Sequence, residues 1–91
     1  MTEAMNVEKA MKRYINEAAR ETNVLRKRNE MFVSEPLASG IMWIAFKLGR
    51  ASMCCDVLSH DFNQDTSDYK GIIKDIEKTA YETYKDITGG I

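Results

Sequence analysis

The sequence predicts an all-α chain of three helices, at about residues 3–31, 36–58 and 66–88. They are expected to run antiparallel, up-down-up, with the central helix at a subunit interface. Apolar residues recur at the spacing of a helical face in three stretches. Two breaks divide these stretches: Ser34-Glu35-Pro36, and the polar run Ser59 to Asp68. One proline and five glycines in 91 residues weigh against a turn-rich β-sandwich and against disorder. A chain of this length is one domain, 1–91, without room for a second core.

The first helix carries Ala4, Val7, Met11, Tyr14, Ile15, Ala18, Thr22 and Leu25 on one stripe, which Phe32 would continue. Lys9, Arg13, Arg20 and Lys27 fall on the other face. Glu8 before Lys12 and Glu17 before Arg20 have the spacing of ion pairs that support an exposed helix by tenths of a kcal/mol. Pro36 then fits a new first turn, because its fixed φ suits that position and it pushes its predecessor out of the α region.

The second helix has two apolar sides. Leu37, Ile41, Ile44, Leu48 and Cys55 form one stripe, flanked by Ala45, Ala51 and Ser52. Met42, Phe46, Met53 and Val57 form another on nearly the opposite side, with Trp43 beside it. Lys47, Arg50 and Asp56 are the only charges in this span. A helix that is apolar nearly all round is a buried helix. Burial of Met42, Trp43, Phe46, Met53 and Val57 represents roughly 8–15 kcal/mol of gross stabilisation, as an upper bound, against an association cost on the order of 4–15 kcal/mol. Gly40 and Gly49 each cost up to ~1 kcal/mol relative to alanine in a helix interior, so they call for a packing reason, and Gly49 is the expected point of close helix contact. The competing expectation is that the N-terminal half of the first helix, or Met31-Phe32-Val33, folds across this second stripe within one chain.

In the third helix, Tyr69, Ile72, Ile73, Ile76, Ala80, Thr83, Tyr84 and Ile87 share one face. Lys74, Asp75, Lys78, Glu82, Lys85 and Asp86 fill the rest, Tyr81 lies off the stripe, and Gly89-Gly90 ends the helix. Asp61, Asn63, Gln64 and Asp65 favour a turn before it, and Asp65 or Ser67 is placed to cap it.

The net charge of -1 gives no global pull toward nucleic acid or anionic lipid. No signal-peptide layout opens the sequence, and the longest apolar stretch, Leu37 to Phe46, is about half of what a bilayer crossing needs. A cytoplasmic chain with no membrane association is expected. Cys54 and Cys55 are adjacent on a helix, where successive side chains diverge by ~100°, so they are read as two small apolar residues in a reducing compartment. His60-Asp61 lacks the further histidines of a metal-dependent phosphohydrolase. The run from Asp61 to Asp65 has three alternating oxygen donors of a calcium loop, but Thr66 stands where glycine is needed and Ile72 where a bidentate glutamate is needed. No metal or cofactor is expected, and neither paired carboxylates nor a nucleophile–base pair can be assembled for catalysis.

The expected function is therefore non-catalytic: a small protein-interaction module, working as adaptor, regulator or stoichiometric inhibitor. Short proteins of phages and mobile elements offer an analogy. The chain is expected to associate with itself, as a homodimer or larger, through Met42, Trp43, Phe46, Gly49, Met53 and Val57. Arg20, Arg26, Lys27, Arg28 and Tyr81 are the polar positions expected to meet a further, unidentified protein. One alternative is a nucleic-acid-binding regulator using Arg26-Lys27-Arg28, although cations near a helix C-terminus also complement its dipole. Another is an oligomer holding a small ligand between subunits.

Overall fold

The computed structural model describes residues 2–31 and 37–88. Its three helices are α1 (Glu3–Met31), α2 (Leu37–Asp61) and α3 (Ser67–Thr88), with no strand among the described residues. The first break, Phe32 and Gly89-Gly90 lie outside the described residues, as do the side chains of Arg28, Leu37, Ser39 and Ile87. Each helix packs on both others, α1 most extensively on α2. The body measures 45 × 21 × 16 Å. None of the described helices is long and apolar enough to cross a membrane.

Local chemistry sets the ends of the helices. The Thr2 hydroxyl accepts the Met5 N–H at 3.2 Å and caps α1. α2 runs three residues past the expected stop at 58, through Ser59, His60 and Asp61. Leu58 is 1% exposed, so packing holds the backbone helical beyond it, with Ser59 half-buried and His60 and Asp61 facing water. The turn comes at Asn63, whose φ of 54° is a left-handed conformation that asparagine tolerates better than most side chains. There the Gln64 N–H donates to the Leu58 carbonyl at 2.9 Å. α3 then starts with the Lys70 N–H donating to the Thr66 carbonyl at 2.9 Å. The Asp65 carboxylate accepts both the Ser67 N–H (3.0 Å) and the Ser67 hydroxyl (2.8 Å), so Asp65 is the capping acid of this turn.

The core is the inner stripe of each helix. Met11, Ile15, Ala18 and Leu25 of α1 meet Ile44, Leu48, Ala51, Cys55 and Leu58 of α2, with Ile73 and Ala80 of α3 closing the cluster. Partners ascend along α1 as they descend along α2: Met11 with Cys55, Tyr14 with Arg50, Glu17 with Lys47, Leu25 with Gly40. Gly40 lies over Leu25 of α1, yet a Cβ there would meet Leu25 Cδ1 at 3.8 Å, an ordinary van der Waals contact, so this packing does not itself require glycine. The buried Cys55 thiol donates to Met11 Sδ at 3.3 Å. Burial pushes its pKa up, the mark of an inert thiol. Thr22 and Thr83 bury their hydroxyls by donating to the carbonyls four residues back, each at 2.8 Å. α3 is tied to its neighbours by Tyr69, whose hydroxyl donates to Glu8 at 3.2 Å, and by the Lys70–Asp56 pair at 3.6 Å. Ile72 departs from the expected stripe and is 44% exposed, because Tyr69, Ile73, Ile76, Ala80 and Thr83 already fill the inward positions.

Two outcomes test this packing. Leu58→Ala should lower the unfolding free energy by about 2–5 kcal/mol, whereas Ile72→Ala should change it by less than about 1 kcal/mol, both read from urea titrations. The Ser67 N–H and hydroxyl hold the Asp65 carboxyl below the usual aspartate range. Its contribution is therefore present above about pH 4 and lost as pH falls through the lowered value. Asp65→Ala should reduce Tm at pH 7, and the gap from wild type should close in strongly acidic buffer.

Candidate interaction face on the second helix

The inner stripe of α2 is spent on α1 and α3, and its outer stripe stays in water. Met42 is 70% exposed, Met53 68%, Trp43 49%, Phe46 45% and Val57 36%. Gly49 sits among them, and a Cβ built there meets nothing within 4 Å. The expected interface residues thus share one accessible face, and neither the indole of Trp43 nor the phenyl of Phe46 is enclosed by its own chain.

Cations order the aromatic part of this face. Trp43 and Phe46 stack, with ring centroids 5.7 Å apart and planes inclined by 17°. Lys47 Nζ lies 4.7 Å from the Trp43 ring centre and the Arg50 guanidinium 4.4 Å from that of Phe46. Each cation stands four residues after its aromatic partner, one helical turn on the same side. Both reach across to Tyr14 of α1, Lys47 at 5.5 Å from its ring and Arg50 at 5.6 Å, while Arg13 approaches the same ring at 5.2 Å. Arg50 also donates to the Tyr14 hydroxyl at 3.1 Å. Hydrogen bonding from Arg50, then from Arg13, holds the Tyr14 phenol below its usual range. Contacts of this kind are worth about 0.5–1 kcal/mol each at an exposed site.

Glu17 of α1 takes the other side of Lys47, Oε2 to Nζ at 2.6 Å. Oε2 is enclosed, and its charge is met by this ion pair rather than by a well-aligned hydrogen bond. Lys47 of α2 is thus a direct partner of Glu17, and Arg13 and Arg20 of α1 add smaller electrostatic pulls in the same direction. By contrast, the Glu8–Lys12 pair forms as spaced, at 3.2 Å.

Next to the aromatic cluster an open groove of about 620 Å³ runs between the N-terminal half of α1 and the C-terminal half of α2. Its walls are nearly all apolar: Val7, Ala10, Tyr14, Met53, Cys54 and Val57 contribute most of them. Burial raises the Cys54 thiol, against a smaller opposing effect of Arg13. A smaller recess of about 300 Å³ lies between α2 and α3, beside Tyr81.

The expected polar contacts do not gather with this face. Arg20, Arg26 and Lys27 are exposed on α1, and Tyr81, 60% exposed, lies on α3 with Lys85 at 5.5 Å from its ring. His60 and Asp61 are exposed at the end of α2. Among the described residues, no three His, Cys, Asp or Glu side chains are grouped to hold a metal ion. Comparison with protein-family models, curated proteins and solved structures finds no match to this chain.

The close Lys47 ammonium holds the Glu17 carboxyl below the usual glutamate range. Lys47→Met should bring the Glu17 titration back up, as read by carbon-detected NMR. An unchanged midpoint would show that the two side chains are not coupled in solution.

Proposed function

We propose that this chain is a non-catalytic helical interaction module that associates with a second copy of itself through the outer face of α2. The single observation that carries the reading is that face: four large apolar side chains and a valine left in water on a helix whose opposite side already buries Ile44, Leu48, Ala51, Cys55 and Leu58. At these exposures the five side chains offer on the order of 500 Å² of surface, as large as patches on monomers usually become. Two such faces meeting would bury about 1,000 Å², the size at which specific interfaces begin. The composition fits an interface centre, since tryptophan, phenylalanine and methionine are enriched there. Work as an adaptor, regulator or inhibitor would then fall to the polar surface, including Arg20, Arg26, Lys27 and Tyr81, in contact with another protein.

Sedimentation or light-scattering mass at tens of micromolar tests the reading. Wild type should be at least dimeric and Phe46→Glu monomeric, with helical circular dichroism unchanged. A monomeric wild type at that concentration would overturn self-association.

A further inference from the structure

Resting on that reading, we infer that the two copies pair α2 against α2 in opposite directions about a two-fold axis at the Gly49–Arg50 peptide, each placing Trp43 in the other's α1–α2 groove. The outer stripe has the same spacing from either end. Met42 to Phe46 is four residues and Phe46 to Gly49 three; Arg50 to Met53 is three and Met53 to Val57 four. An axis perpendicular to the helices at the midpoint therefore sets Met42 opposite Val57 of the second copy, and Phe46 opposite Met53. Met42, Phe46, Met53 and Val57 each find an apolar position, as a two-fold interface of one patch with itself requires. A parallel pairing would instead stack each position on itself and leave the groove unfilled.

The centre of the pairing is the one place on the stripe without a side chain. Gly49 is exposed with open space above it, so a second backbone can come close there. Each Arg50 guanidinium donates to the Tyr14 hydroxyl on the α1 side and lies over the Phe46 ring at the edge of the stripe. The groove gives the arrangement its specificity. Trp43 leans to the α1 side of the stripe, where Lys47 links its ring to Tyr14. A two-fold axis perpendicular to the helices keeps that side on the same side in both copies and carries Trp43 to the level of Asp56 and Val57 of the second copy. There the groove opens between Val7, Ala10, Cys54 and Val57, with about 620 Å³ available for an indole. The groove is thus completed by a residue of the other chain.

Cross-linking separates this geometry from self-association alone. Met42→Cys and Val57→Cys are each placed in a Cys54→Ala background, Cys55 being buried. A short bifunctional thiol reagent should join the two variants when mixed. Neither should cross-link with itself, since like positions lie about 22 Å apart along the pair at 1.5 Å per residue. Trp43→Ala should weaken association at least about tenfold with the helical spectrum intact. Self-linking of either single variant, failure of the mixed pair to link in a dimeric sample, or full association by Trp43→Ala would each overturn the arrangement while leaving self-association standing. A monomeric mass for the wild type would remove both.

Discussion

Two neighbours cannot surround a helix, and the rest of this molecule follows from that constraint. α1 and α3 approach α2 from one half of its circumference, and the buried positions Ile44, Leu48, Ala51, Cys55 and Leu58 face them. An ordinary three-helix chain would place charges on the half that remains. Here Met42, Phe46, Met53 and Val57 occupy it, and the sparse charges of α2 are drawn to its edges. The hydrophobic effect has no direction of its own, so an apolar stripe drives burial whether the covering atoms come from the same chain or from another.

The edge charges have a second effect. Lys47 and Arg50 each engage an aromatic ring on α2 and the Tyr14 ring on α1, while Glu17 holds Lys47 from behind. The contacts are individually weak, but together they restrict the rotamers of Trp43 and Phe46 before anything binds. Ordering a rotamer-rich side chain at an interface costs about 0.5–1.5 kcal/mol, so anchors ordered in advance bind at a smaller penalty. The same ties join α1 to α2 at their outer seam, where Tyr14 also packs against the core.

Much of this was legible in the sequence. Period and breaks located all three helices, and the double stripe of α2 marked the exposed face residue by residue. The end of α2 was misplaced because Ser59, His60 and Asp61 have turn-forming side chains, whereas their backbone is held by the packing of Leu58 and released only at Asn63. Ile72 was assigned inward because it shares the apolar arc, a pattern that cannot say which of two adjacent isoleucines takes the last inward place. The cation–aromatic cluster was missed although half of its signal is local: Lys47 and Arg50 stand four residues after Trp43 and Phe46. The other half, Tyr14 and Glu17, depends on the register between α1 and α2, which periodicity within each helix does not contain. The groove depends on the same register, so Val7, Ala10 and Cys54 carried no mark of it.

The dimensions of the body, 45 × 21 × 16 Å, have a consequence for its interior. A slab this thin has no depth: each core side chain lies one layer from solvent, and a chamber closed to water on every side would have to displace the core itself. Thickness can come only from stacking a second slab on the first. The row now lying along the outside of α2 would then become the midline of a body twice as deep.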